Sequence, residues 1–185
     1  MSRLIKEAAR APAAIDDFEH LYDTHYAEIH RYLAARLGTE VADDLAAETF
    51  VVAFRKRASF DPARGAVLPW LYGIATNLVA GHRRSEARRL QALARAAPDQ
   101  PPEGHEEQVL TRVVAASAQG RLAAELGRLS EGDRDVLLLV ALGELSYEEV
   151  AAALDIPFGT VGSRLNRVRR KLRAALSGVY GGNDG

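Results

Sequence analysis

The sequence has no cysteine, a single tryptophan and no long apolar run. Without cysteine there can be no disulfide framework, thiolate zinc site or cysteine nucleophile, and the lack fits a reducing interior. The longest uninterrupted apolar stretch, Val136 to Leu142, is seven residues, far short of the roughly 20 that a membrane helix needs. Arg3, Lys6 and Arg10 are not followed by an apolar segment, so no secretory signal is readable and a cytoplasmic location is expected. Catalytic signatures are missing too: there is no HExxH, P-loop or GxSxG pattern. His20, His25, His30, His82 and His105 form no ligand pair at helical i,i+4 spacing. Neither an enzyme nor a metal or cofactor site is expected.

What is present suits a folded chain: 185 residues with 48% apolar content, enough for one ordinary domain or two small ones. The 24 basic and 25 acidic residues leave a net charge of −1, which alone speaks against a nucleic-acid binder. Their distribution speaks for one. Residues 164–173 (RLNRVRRKLR) hold six basic residues and no acid, and 83–89 (RRSEARR) hold four against one. Conversely, 40–48 (EVADDLAAE) and 99–107 (DQPPEGHEE) each hold four acids and no Lys or Arg. Segregation of this kind points to one anionic and one basic partner, with plain solvated helix faces as the alternative.

Ala, Leu, Arg and Glu fill the periodic segments, and strand-like alternation is nowhere sustained. The periodicity predicts helices over 16–37, 40–58, 68–95, 107–128, 131–142, 146–154 and 158–177. Gly38-Thr39 closes the first, with Thr39 placed to cap the second. Asp61-Pro62-Ala63-Arg64-Gly65 is a turn-rich loop, and Pro69 suits the first turn of the third helix. Pro98, Pro101, Pro102 and Gly104 interrupt helix and mark a linker. The expectation is an all-α chain of two small helical domains, 14–95 and 119–178, joined by a flexible linker over 96–118.

Within the second domain, Ser146 can cap a short helix and Glu149 stands at the capping-box position. Asp155-Ile156-Pro157 then breaks the chain before a second helix. There Val161, Leu165, Val168 and Leu172 lie within about 60° of one another at helical pitch. Ser163, Arg167 and Arg170 face the other way, flanked by Thr160 and Arg164. Two helices with an apolar back and a basic front make a helix-turn-helix, whose Arg side chains can reach guanine edges in the major groove. An ordinary helical hairpin with a charged face remains the alternative.

In the first domain Glu40, Asp44 and Glu48 form an acidic stripe whose like charges weaken an isolated helix by about 0.2–0.5 kcal/mol per pair. A basic partner would turn that cost into complementarity. Phe50 and Phe54, on another face, suit either the core or the same interface. Trp70, Asn77, Arg84 and Arg88 share a stripe beside the core residues Leu71, Ile74 and Leu78. An aromatic, an amide and two arginines in line suit a single DNA strand: bases stack, the amide reads an edge, arginines hold phosphates. Phe60, at the start of the loop before this helix, supplies a second apolar wall for an extruded base, unless it plugs the core.

LSYEEVAAALDIPFGTVGSRLNRVRRKL (145–172) resembles the promoter-reading fourth region of extracytoplasmic-function sigma factors, and RLSEGDRDVLLLVALGEL (128–145) resembles the helices that buttress it. DDLAAETF (43–50) resembles that family's polymerase-binding signature, and FDPARGAVLPWLYGIATNLVAGHRR (60–84) its minus-ten-reading region. The resemblance implies a non-catalytic factor that binds core RNA polymerase and directs it to promoters. By position it assigns Thr160, Ser163, Arg164 and Arg167, with Arg170 beside them, to the minus-thirty-five element. It makes Phe60, Trp70, Asn77, Arg84 and Arg88 the minus-ten surface, with Asn77 and the 59–66 loop forming a base pocket. Asp44, Glu48 and Phe50 become contacts to the clamp coiled coil of the largest polymerase subunit. Many members of the family are held by an anti-sigma factor, a partner that no residue here encodes. Two departures stand out: Ala47 replaces a usual Gln, and Gly162 a usual Lys or Arg. A dimeric helix-turn-helix regulator is the rival reading, and the acidic stripe disfavours it.

Overall fold

In the computed structural model, residues 17–96 and 118–177 are described. They form seven α-helices: α1 (Phe18–Leu37), α2 (Thr39–Lys56), α3 (Val67–Ala96), α4 (Ala118–Gly127), α5 (Glu131–Ala141), α6 (Tyr147–Leu154) and α7 (Phe158–Ser177). No strand occurs among the described residues. The expected helices are all found, although the 107–117 part of the fourth lies outside the described residues.

Local chemistry sets the boundaries. Asp17 caps α1, its carboxylate accepting from the His20 backbone N–H at 2.9 Å. Ser146 and Glu149 make the full capping box on α6, with Glu149 Oε2 accepting from the Ser146 N–H at 2.8 Å. Thr39 is not the cap of α2. Helix α2 starts at Thr39 itself, and Gly38 serves both neighbouring helices at φ 85°, without a side-chain cap. A residue with a Cβ is strained in that backbone region, so glycine is what lets α1 turn back on α2 without a loop. Asp155, at φ 51°, closes α6 in the left-handed conformation, and its N–H together with that of Ile156 satisfies carbonyls of the last turn.

In the N-terminal domain α1 contributes Ile29, Tyr32 and Leu33 to the core, α2 contributes Ala42, Ala46 and Ala53, and α3 contributes Leu71, Ala75 and Val79, all fully buried. The alanines of α2 bring its axis close to its neighbours. In the C-terminal domain Val136 and Leu139 of α5, Val150 of α6, and Val161, Leu165 and Val168 of α7 are buried. The stripe expected on α7 is thus its core face.

The two domains are not separate in this structure. Their cores form one continuous apolar cluster. Gly73 of α3 lies so near α6 that a Cβ built there would come within 2.6 Å of the Ala153 carbonyl oxygen. Across the same boundary Arg36 Nη2 meets Asp135 Oδ1 at 2.5 Å, the Arg36 side chain being 2% exposed. Arg36 also donates to the Tyr32 hydroxyl at 2.6 Å, which sits 2.7 Å from Thr76 Oγ1. Burial pushes the Asp135 carboxyl upward, and the Arg36 charge pulls it back. Tyr72, enclosed between the domains, is pushed up to about 12 by burial.

Candidate nucleic-acid interface

Three surfaces carry the residues singled out by the sequence. On α2, Asp44 and Glu48 are exposed as expected. Phe50 is not: it is 3% exposed, held edge-on by Tyr22 at 4.9 Å between ring centroids. Placing α1 against α2 turns Phe50 inward and leaves Phe54, one helical turn on, 46% exposed. Phe50 is therefore mainly a core residue rather than an exposed contact like Asp44 and Glu48. It forms the floor of an apolar groove lined by Phe18, Tyr22, Ala47, Val51 and Phe54. Tyr22 and Val51, at 39% and 47% exposed, were missed by sequence reasoning. Their signal was the repeat of aromatic residues at 18, 22 and 26 facing 50 and 54.

The second surface lies where the 57–66 segment meets α3. Phe60 and Trp70 are half-buried and touch, their ring centroids 5.1 Å apart. Asp61 shapes the turn by accepting from the Ala63 N–H at 3.0 Å, as an Asp-Pro turn should. With Ser59, Gly65, Ala66 and Pro69, Phe60, Asp61 and Trp70 line one side of a cleft of about 320 Å³, whose other wall is Ala152, Ala153 and Asp155 at the end of α6. Asn77 is exposed on α3 but does not line the cleft. It stands two turns past Trp70, about 10 Å along the axis. Arg84 and Arg88 continue the line outward, both exposed. The structure thus joins Phe60 to Trp70 and separates Asn77 from them.

The third surface is α7. Ser163, Arg167 and Arg170 are exposed, and Thr160 and Arg164 are half-buried. Several of these side chains are already bonded within the domain. Ser163 Oγ donates to the Thr160 carbonyl at 3.0 Å. Arg164 Nη1 donates to the Gly132 carbonyl at 3.3 Å, and Arg167 Nη1 to Asp133 Oδ1 at 2.9 Å. Asp133 is the buried member of that pair, its side chain 2% exposed against 48% for Arg167. Arg169, on the flank, donates to the Tyr147 hydroxyl at 3.0 Å. At Gly162 a Cβ would meet nothing within 4 Å. No cluster of metal-ligating side chains occurs among the described residues, and none of the described helices is long and apolar enough to cross a membrane.

Two family models match the chain, sigma-70 region 2 over residues 21–89 and sigma-70 region 4 over residues 119–172. The sequence is 36% identical over 170 residues to the RNA polymerase sigma factor YlaC of Bacillus subtilis, covering 88% of this chain and 93% of that one. It is 30% identical over 168 residues to the ECF RNA polymerase sigma factor SigW of the same species, covering 87% and 89%. Among solved structures it is similar to CnrH in complex with the cytosolic domain of CnrY, with a TM-score of 0.60 at 28% identity over 87% of this chain and 88% of that one. The sigma factor RpoE of Bartonella quintana, solved with the anti-sigma factor NepR, shares the fold at a TM-score of 0.65 and 22% identity, over 88% and 98% of the two chains.

Proposed function

The chain belongs to the extracytoplasmic-function group of the sigma-70 family, and from that premise we propose how its surfaces divide the work. It is a promoter-specific transcription initiation factor that acts with core RNA polymerase, in the cytoplasm, and has no reaction of its own. The N-terminal domain, residues 14–95, binds polymerase and reads the minus-ten element. The C-terminal helix-turn-helix, residues 119–178, reads the minus-thirty-five element.

One observation carries the polymerase assignment: an exposed acidic stripe and an exposed aromatic groove lie side by side on α2. Asp44 and Glu48 flank Ala47, Val51 and Phe54 on one helical face. A helical partner with apolar and basic residues on one side satisfies both, as the clamp coiled coil of the largest subunit would. Burial of Tyr22, Val51 and Phe54 supplies affinity, and the acids set orientation. The Phe60–Trp70 cleft captures an unstacked minus-ten base, while Asn77, Arg84 and Arg88 hold the strand that leads from it. On α7, Ser163, Arg164, Arg167 and Arg170 meet the major groove, with Thr160 at its edge. An anti-sigma factor would find both domains presented together.

The test is in vitro transcription with core polymerase on genomic promoter fragments. Wild-type protein is expected to produce factor-dependent start sites. The Asp44→Lys/Glu48→Lys variant is expected to lose co-elution with core polymerase while its circular dichroism is unchanged. Unchanged co-elution would reduce the stripe to a solvated face.

A further inference from the structure

The face of α7 assigned to the promoter changes character along its length. Its six basic residues begin at Arg164, and residues 158–163 (FGTVGS) carry no charge at all. A recognition helix presents its N-terminal residues to base edges, so the turn nearest the bases is the uncharged one. Gly159 and Gly162 add no side chain there. Val161 is buried, and Ser163 Oγ already donates to the Thr160 carbonyl. What remains at that end is the half-buried Thr160 and the Phe158 ring.

Phe158 is the most exposed aromatic residue among those described, at 53%, whereas Val161, Leu165 and Val168 of the same helix are buried. The ring is nevertheless held in place. Tyr147, the first residue of α6, backs it with ring centroids 6.4 Å apart and planes tilted by 47°. The Tyr147 hydroxyl in turn accepts from Arg169 at 3.0 Å. The Thr160 N–H closes the first turn by donating to the Pro157 carbonyl at 2.8 Å. Gly162 stands one turn further on, about 40° around the axis from Phe158 at helical pitch, and a Cβ there would meet nothing within 4 Å. No side chain at that position screens the ring from the groove.

A fixed, exposed ring at the reading end of the helix needs an apolar counterpart, and the one apolar group that base pairs display in the major groove is the thymine C5-methyl. We propose that Phe158 is a specificity-determining residue, selecting a thymine in the minus-thirty-five element by contact with its methyl group. The inference rests on the assignment of α7 to that element. It adds a form of readout that the arginines cannot supply: a guanidinium pairs with hydrogen-bonding edges, as on guanine, whereas the ring disfavours pairs that offer it polar edges alone.

Replacing thymine by deoxyuridine deletes that methyl and keeps every hydrogen-bonding group of the pair, so the wild-type protein supplies the first test without any substitution. Polymerase holoenzyme carrying the full chain would be titrated on a promoter fragment active in the transcription assay above. Each thymine of its minus-thirty-five element, on either strand, would be replaced in turn. One position is expected to lose about fourfold in affinity, the equivalent of one buried methyl group. At that position Phe158→Ala should bind thymine and uracil fragments alike, and Phe158→Leu, which keeps an apolar side chain, should retain part of the preference. Both variants should keep wild-type circular dichroism and co-elution with core polymerase. A scan with no sensitive position overturns the proposal. So does a methyl preference that survives in Phe158→Ala, which would give the methyl to another group such as Thr160. Loss of co-elution by Phe158→Ala together with a flat scan overturns it as well, and places the ring against polymerase. If no fragment yields a factor-dependent start site, the function assigned above fails and takes this inference with it, whereas a flat scan on an active promoter removes the methyl contact alone.

Discussion

The two domains hold the side chains proposed to read the promoter in different ways. On the N-terminal domain, Asp44, Glu48, Asn77, Arg84 and Arg88 are exposed on helices whose other faces make the core. There, these proposed contacts are separate from the core, and only Phe60 and Trp70 are half-buried. On the C-terminal domain the residues proposed to meet DNA also brace the fold. Arg164 and Arg167 reach back across the domain to Gly132 and Asp133 at the start of α5, so the face that would meet DNA also ties α7 to α5. The difference follows from size. Three helices, one of them 30 residues long, can spare a face, whereas a shorter unit recruits its basic residues for packing.

The sharpest way to break this comparison is within the N-terminal domain, at the two phenylalanines of α2. Phe50→Ala removes a ring 3% exposed and should cost about 3–5 kcal/mol of stability. Phe54→Ala removes one 46% exposed, with the Phe18 ring edge-on at 5.1 Å and the Arg57 guanidinium 3.9 Å from its centroid, and should cost only about 1 kcal/mol. Thermal denaturation measures both, and co-elution with core polymerase should fail for Phe54→Ala despite the smaller change in its melting. If Phe54→Ala melts as low as Phe50→Ala, function and stability are no more separable here than on α7.

Arg167→Ala is the next largest effect. In the sequence this residue is a front-face arginine, and its loss reads as a loss of base discrimination alone. In the structure it also leaves Asp133 buried without its arginine, which should cost about 1–3 kcal/mol. Lower promoter use would then mix two causes. Pairing it with Asp133→Ala separates them: the double variant should recover much of the melting temperature and none of the lost discrimination among minus-thirty-five bases. Full recovery of promoter selectivity would mean that Arg167 only braces the helix.

These pairs also mark how much was legible beforehand. The helices, the capping box of Ser146 and Glu149, and the buried stripe of Val161, Leu165 and Val168 are set by residues three or four apart, and periodicity shows them. Asp44 and Glu48 could be placed at the surface because charge seldom goes elsewhere. Phe50 and Phe54 could not be told apart, since the choice depends on where α1 lies. Thr39 had the right chemistry for a cap, but the backbone at Gly38 starts the helix one residue sooner. Asn77 shares a stripe with Trp70, yet a stripe fixes direction and says nothing of distance along the axis. The contacts of Gly73 with Ala153 and of Arg36 with Asp135 join residues 80 to 99 positions apart, beyond any local pattern.

The smallest effect, and the one that tests α7 by addition, is at Gly162. A glycine inside a helix costs about 0.8–1.0 kcal/mol relative to alanine, and a Cβ here would meet nothing within 4 Å. A Cβ can therefore be added there without collision. Gly162→Lys should stabilise α7 by somewhat less than that amount, since lysine is a slightly weaker helix former than alanine. Beside Ser163, on the face assigned to DNA, its ammonium should also neutralise one further phosphate. The dependence of log affinity on log salt should then steepen by about 0.9 for a minus-thirty-five duplex. Unlike Arg167, Gly162 has no side-chain bond to lose, so the two effects are read separately: melting temperature reports the helix and the salt slope reports the phosphate. A rise in melting temperature with an unchanged slope would place position 162 away from the backbone of the duplex and require α7 to be rotated about its axis in the groove.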